Sequence, residues 1–376
     1  MNSDFDRVIE RRETDSLKWQ KYAGRDVIPM WVADMDFAAP PPVLAALQAR
    51  VAHGVFGYGA PPEFATVIAD ALRRDYGWEI RPEWVVPLPG LVCGLNVAAR
   101  AIGEEGDALA TATPVYPHLF TCAGNMGKES QKLALDEQHH WTWDLDALAA
   151  LTTPRTRGLM LCHPHNPIGR VWSAEELQVI ADHAQKHDLV VVSDEIHCDL
   201  ILEPCLRHRP FAMLSADAAA RSITLMAPSK TYNIPGLGAA FAVIPSDSLR
   251  RRFQGAMAGI VPHVNILGLA ATVAAYRDCA DWRSALLDYL RGNRDRVMSL
   301  HGAGGLKVVK PEATYLAWMD CRALGLDDPV RFFEDAGVGL SDGRDFGSPG
   351  FVRLNFGCPR LTLEEGLRRI RLAVSR

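Results

Sequence analysis

Residues 227–236 read APSKTYNIPG and directly follow the short run Ser222–Met226. A surface lysine keeps its ammonium in water, whereas one set at the end of a buried strand loses that hydration. Such a lysine is retained when its amine does chemistry, for example by condensing with a carbonyl to form a Schiff base. Lys230 is therefore the first candidate for a covalent anchor. Alone it supports little, because a lysine after serine is usually a solvated loop residue. The flanking sequence has to supply partners.

Three other short apolar runs end in polar turns: Ala108–Thr111 leads to TPVYP, Gly158–Cys162 to HPHNP, and Leu189–Ser193 to DEIH. From about residue 86 to 245 such runs alternate with helix-like segments, which predicts an α/β fold with a mainly parallel sheet. Open α/β sheets bind ligands at the carboxyl ends of their strands. The four turns are thus expected to converge on one cleft. After Pro262 the periodicity becomes helical to about Leu300, then strand-like in KVVKPEATYLAWMD, then glycine-rich in FGSPGFVRLNFGCPR. A second, smaller domain is expected there. The first 45 residues, with WVADMD at 31–36 and the prolines 40–42, predict an arm crossing the surface. There is no internal repeat and no Gly/Ser-rich linker.

Composition narrows the function classes. The 376 residues are 48% hydrophobic with a net charge of −5 from intermixed acids and bases, which suits a globular enzyme and makes nucleic acid a poor partner. The eight cysteines are scattered without a CxxC pair, and MNSDFDRVIERR lacks the apolar core of a signal peptide, so a reduced, cytoplasmic chain is expected. The longest nearly uncharged apolar stretch, Val264–Tyr276, is well short of the roughly 20 residues that cross a bilayer. His163, His165 and His197 raise a metal site, but no HxxxH pair or Cys/His set has suitable spacing, and none is expected.

A pyridoxal phosphate site needs an amine, a carboxylate for the ring nitrogen, a donor for the phenolic oxygen, a stacking ring and a phosphate cradle. Candidates for all five are present. Asp194 ends a strand and can keep the ring nitrogen protonated, which makes the ring a better electron sink. Asn166 offers an uncharged amide donor. Tyr116 offers a flat face. Gly90, Leu91 and Val92 form a glycine turn before the helix-like LVCGLNVAARAI, whose free amides suit a phosphate, and Ser229 adds a hydroxyl. Each has a plainer reading: Asp194 as a helix cap, Asn166 as an Asx turn, Tyr116 as a core aromatic. Their shared position after consecutive strands favours a common site. His197 reads as a group near the cofactor, and glycines 343, 347 and 350 read as a tight turn rather than a dinucleotide fingerprint.

In this order PLPGLV, TPVYP, HNPIGRVW, SDEIH and APSKTYN resemble the fold-type-I pyridoxal-phosphate enzymes of the class I/II aminotransferase superfamily. KWQKY, PMWVADMDF, HGVFGY, RLNFGCPR and the form DEIH make the chain similar to the bacterial cystathionine β-lyase (C–S lyase) branch. The match runs from about residue 4 to the C-terminus. It implies a large domain (46–265) with a mainly parallel seven-stranded sheet, a small α+β domain (266–376), and an N-terminal arm (1–45) packed with the small domain. It also implies that Lys230 is the Schiff-base lysine, that Asp194, Asn166 and Tyr116 contact the ring, and that Arg353 grips the substrate α-carboxylate. Arg360 competes for that last role. Tyr58 would reach the phosphate of a neighbouring subunit's cofactor in a homodimer whose interface the 264–276 helix could help bury, and the backbone at Ala33 would close over the substrate. The chain departs from the pattern at Ile168, Cys93-Gly94, His118 and Ala227. Cys93 and His118 are expected to border the cofactor.

The implied reaction is α,β-elimination on L-cystathionine or another cysteine S-conjugate, giving a thiol, pyruvate and ammonia, with Lys230 also moving the Cα proton. An amino acid aminotransferase is the alternative, since it shares the early steps. A non-catalytic regulator on the same fold is a third reading, weakened because both Lys230 and Asp194 are kept.

Overall fold

The computed structural model describes residues 4–375. Its largest sheet has seven strands in the order Val85–Leu88, Ala240–Val243, Ser222–Met226, Val190–Asp194, Thr156–Cys162, Ala108–Thr113 and Glu129–Ala134. Only Ala240–Val243 runs against its neighbours. The central strands are covered on both faces, so they read as unbroken apolar runs such as Val190-Val191-Val192 rather than alternating ones. The four polar turns after Ala108–Thr113, Thr156–Cys162, Val190–Asp194 and Ser222–Met226 leave the sheet at the same edge.

Two glycines fix how that edge is built. A Cβ on Gly94 would lie 2.8 Å from Leu88 Cδ1 and 3.1 Å from Leu225 Cδ2, so glycine lets the helix Leu91–Ala101 sit against the sheet. Gly169, at φ +76°, would carry a Cβ 2.9 Å from Pro311 Cα, and its carbonyl accepts from Glu312 and Ala313 N–H at 3.0 and 2.9 Å. That contact joins the HNPIGR turn to the C-terminal part of the chain. Ser173 caps the helix Ala174–Lys186 with a reciprocal bond to Glu176, which starts the helix promptly after the same turn.

A second, antiparallel sheet runs in the order Ser341–Asp342, Phe351–Asn355, Leu316–Asp320, Lys307–Val309. Helices Ala280–Met298 and Arg360–Val374 pack beside it. The N-terminal segment is exposed along most of residues 6–26 and turns inward from Val27. Ile28–Pro29 pairs with Val338–Gly339, and Phe5, Met30, Ala33, Met35 and Phe37 are buried in one apolar cluster with Leu316, Leu354 and Phe356. Val27–Met30 and Met35–Phe37 are buried as continuous runs, and removing their apolar surface from water holds the segment against the core. In the helix Ile266–Asp278, Leu269 and Ala271 to Tyr276 are buried against helices Pro41–His53 and Phe64–Tyr76, while Leu269 and the preceding Val264 also line a second cavity.

Candidate active site

A cavity of about 260 Å³ opens at the carboxyl edge of the large sheet. Its walls include Ala33, Gly90, Leu91, Val92, Tyr116 and Asn166, and also Asp194, His197, Ser229, Lys230 and Arg353. Four separate turns thus meet at the strand ends, joined by Arg353 from the C-terminal sheet. The turns are stitched together: Tyr116 N–H donates to the Asn166 carbonyl at 3.0 Å, and His165 Nε2 donates to the Pro114 carbonyl at 2.7 Å. His163 Nε2 is likewise used by the Arg209 carbonyl, at 3.1 Å. Among the described residues no cluster of three or more His, Cys, Asp or Glu side chains is arranged to hold a metal ion.

The floor carries groups with few partners. Lys230 Nζ donates to the Ala33 carbonyl at 2.7 Å and has no carboxylate within ion-pair distance. Burial, then the Arg353 charge, lower its pKa to about 8, so more of the amine is neutral near physiological pH than in an ordinary lysine. Asp194 is buried, and its Oδ1 accepts only from Ile196 N–H at 3.2 Å. Burial raises its pKa to about 7, against the opposing pull of that N–H and of Lys230. A carboxylate so short of donors is ready for a cationic partner. No helix follows it for it to cap.

Asn166 is oriented by Arg353, whose Nη1 donates to Oδ1 at 3.0 Å. The amide nitrogen is left without a protein partner and available as a donor, so the side chain is not spent on an Asx turn. Arg353 Nη2 donates to the Trp31 carbonyl at 3.0 Å and Ser341 Oγ at 3.3 Å, while its buried Nε is unpaired. Burial lowers the Arg353 pKa to about 10, which still leaves a full cation at neutral pH. Arg360 is elsewhere: its guanidinium lies over the Tyr289 ring at 4.2 Å and 3.8 Å from Asp6. Of the two arginines, Arg353 lines the cavity and Arg360 does not.

His197 lines the cavity with its Nδ1 buried and unpaired, and burial together with Lys230 and Arg353 lowers its pKa to about 3, so it is a neutral ring. Tyr116 presents its ring to the cavity and sits edge-on to His118 at 5.1 Å. Gly90 precedes the helix Leu91–Ala101, whose first internal bond is Gly94 N–H to the Gly90 carbonyl at 3.2 Å. The amides of Leu91, Val92 and Cys93 are therefore unspent at a positive helix end. Tyr58 is 94% exposed beside His263 and takes no part in this cavity.

Cys93 and His118, expected to border the cofactor, do not line the cavity. Cys93 turns back toward the apolar cluster beneath its helix, and His118 stands behind Tyr116. Ile168 is fully buried against Trp172, away from the site, and Ala227 is enclosed at 3% exposure. The sequence reading missed Val32, Cys162, Ile196, Pro235, Gly238 and Ala239 in the walls. Cys162 was findable, since it is the last residue of a strand whose turn was already suspected.

The segment Trp31–Phe37 forms the roof. Asn355 Nδ2 donates to the Val32 and Asp34 carbonyls at 2.6 and 2.7 Å, and Asn233 Nδ2 to those of Met35 and Phe37 at 2.9 and 2.7 Å. Beneath it lies a charge cluster: Arg11 reaches Asp34 at 2.7 Å and Asp36 at 2.6 Å, and buried Lys18 reaches Asp36 at 2.7 Å.

Comparison with known proteins bears on what this arrangement is. The chain is 36% identical to cystathionine beta-lyase PatB of Bacillus subtilis (strain 168), over 99% of this chain and 100% of that protein. It superposes on a crystal structure of OvoB with a TM-score of 0.96 at 50% identity, covering 99% of each chain. It also superposes on cystalysin from Treponema denticola, a structure that contains pyridoxal 5′-phosphate, with a TM-score of 0.95 at 32% identity and coverage of 100% and 99%. The profile of aminotransferase class I and II matches residues 25–370, and the chain belongs to that family.

Proposed function

We propose that this chain is a pyridoxal-phosphate-dependent C–S lyase that eliminates the sulfur substituent of L-cystathionine or a related cysteine S-conjugate. The observation that carries the reading is a buried lysine amine, free of any carboxylate, facing a donor-starved aspartate across one cavity. The residues fit the cofactor: unspent helix amides for a phosphate, the Asn166 amide nitrogen for a phenolic oxygen, the Tyr116 face for the ring, and Asp194 for the ring nitrogen. PatB, covered along its whole length, is named a cystathionine β-lyase, which supports the same substrate class.

When bound, the cofactor supplies an electron sink for the pair left at Cα. Arg353 holds the substrate carboxylate in a bidentate pair and so fixes which Cα substituent faces Lys230. Lys230 Nζ takes the Cα proton, and the Cβ–S bond breaks with its electron pair leaving on sulfur as thiolate. Protonated Lys230 is placed to return a proton to that thiolate. Hydrolysis with one water then gives pyruvate and ammonia, so that cystathionine plus water balances homocysteine, pyruvate and ammonia. Neutral His197 adds no competing charge beside the lysine.

Steady release of pyruvate from L-cystathionine, with no keto acid added, is the expected result. Arrest after one turnover in the pyridoxamine form would instead establish an aminotransferase.

A homodimer is part of the proposal. Val51, Val55, Phe56, Tyr58 and Ile260 are exposed on one side of the chain, next to a cavity of about 570 Å³ that includes Gly59, Met257 and His263. A second copy covering that face would bring Tyr58 toward the partner's phosphate cradle. Light scattering should give twice the chain mass, and Tyr58→Phe should weaken cofactor binding while leaving the dimer intact. A reducing, cytoplasmic setting is also proposed. All eight cysteines are free, and no helix among the described residues is long and apolar enough to cross a membrane.

A further inference from the structure

The roof carbonyls are taken one by one by side chains, and the one at Ala33 is unlike the rest. Trp31 is held by Arg353 and Ser341, Val32 and Asp34 by Asn355, and Met35 by Asn233 and Arg11. The Ala33 carbonyl accepts from Lys230 Nζ at 2.7 Å and from Tyr315 Oη at 2.9 Å. A carbonyl oxygen has two lone pairs, and both are in use. Asn355 pins the residues on either side, so the carbonyl is not free to swing toward one donor and away from the other.

Tyr315 is fully buried, lies just before the strand Leu316–Asp320, and does not line the cavity. Its hydroxyl makes no other hydrogen bond, and its ring stands edge-on to His197 at 6.2 Å. Burial and the nearby Asp34 push its ionisation far above the ordinary range, so it is a donor at any working pH.

We propose that Tyr315 is a positioning residue for Lys230: by donating to the carbonyl that also receives the lysine amine, its hydroxyl sets how firmly Ala33 holds that amine whenever the amine is not bonded to the cofactor. This rests on the role given to Lys230 above. The physical basis is competition. Two donors on one oxygen each draw on the same electron density, so each bond is weaker than it would be alone. A weaker hold on the ammonium favours the neutral, base-competent amine. The other groups that face the amine are Arg353, which disfavours its charge, Asp34 and Asp194, which favour it, and His197, which is neutral. None of them is bonded to the Ala33 carbonyl, so the Tyr315 hydroxyl can be changed without changing them.

The test is the pH dependence of Lys230 labelling by acetic anhydride, read by mass spectrometry on the full chain stripped of cofactor. In Tyr315→Phe the competing donor is gone, and the midpoint should rise by about half a unit, or roughly three-fold less neutral amine at a given pH below it. Placing 3-fluorotyrosine at position 315, a stronger donor of nearly the same size, should move the midpoint down. A rise in Tyr315→Phe together with a fall for 3-fluorotyrosine supports the proposal, and the reverse pair of shifts overturns it. Midpoints that coincide with the parent, or that move the same way in both variants, overturn it. A purely structural role for Tyr315 does not produce a sign change. Failure here is separable from failure of the Lys230 assignment, which would show as the Schiff-base absorbance persisting in reconstituted Lys230→Ala.

Discussion

Asp36 in the roof and Asp194 in the floor are both buried, yet their proton affinities move in opposite directions. Burial alone would raise both. At Asp36 it is outweighed by Lys18 at 2.7 Å, Arg11 at 2.6 Å and the Trp19 indole at 3.1 Å, and the carboxyl is held below its usual range. At Asp194 burial meets one backbone N–H and a lysine with no direct bond to it, and the pKa rises to about 7. The two lysines repeat the pattern: Lys18 is paired with carboxylates, Lys230 only with a carbonyl. Charges in the roof are compensated within the chain and hold structure. Those in the floor are left short of partners that a ligand would supply, which is how undercompensated groups come to mark sites.

The sharpest way to break that contrast is to remove one lysine from each region. Lys230→Ala should abolish the lysine Schiff-base absorbance of the reconstituted protein and reduce pyruvate formation by about 10⁴-fold, since base and anchor are lost together. Comparable turnover in the variant would end the floor's claim to the chemistry. Asp194→Asn keeps the shape and removes the charge opposite the ring nitrogen, and a fall in kcat of about 10³-fold is expected. Lys18→Met should act differently. It leaves Asp36 with Arg11 and Trp19 but buries an undercompensated carboxylate, costing about 3 kcal/mol in urea unfolding. Its cofactor absorbance per folded molecule should match the parent's. If Lys18→Met proves as stable as the parent, the roof cluster is not the structural device described here.

How much of this was legible from the residues follows the same division. Floor residues sit in short turns directly after apolar strands, and strand-end logic placed Asn166, Asp194 and Lys230 on one edge before any coordinates. The roof is built from residues far apart in sequence: Asn355 and Tyr315 reach carbonyls some three hundred positions away. No local period or composition encodes such a pairing. Cys93 and His118 failed for a related reason. Adjacency to a site residue in sequence says nothing about which face of a helix or turn a side chain takes, and neither residue lines the cavity.

The smallest effect tests the contrast without any catalysis. In the folded chain without cofactor Asp194 holds its proton to about pH 7, whereas its ordinary value, 3.8, governs the unfolded chain. Between those values the unfolded chain binds fewer protons, so the Asp194 contribution to stability falls as pH rises across the window and stays low above it. Asparagine has nothing to ionise. Cofactor-free Asp194→Asn should therefore melt a few degrees above the parent at about pH 8, with the advantage shrinking as pH is lowered toward about 4. Asp36 has the opposite sign: its folded pKa is depressed, so its stabilisation is present above the unfolded value and lost as pH falls through the folded one. Asp36→Asn should lower the melting temperature at about pH 8, with the deficit closing in acid. Saturating pyridoxal phosphate should then reverse the order for Asp194→Asn alone, because the parent's carboxylate gains a cationic partner that the amide cannot use. Equal melting of parent and Asp194→Asn at both pH values would mean that the floor aspartate is compensated after all, and the distinction between the two regions would fail.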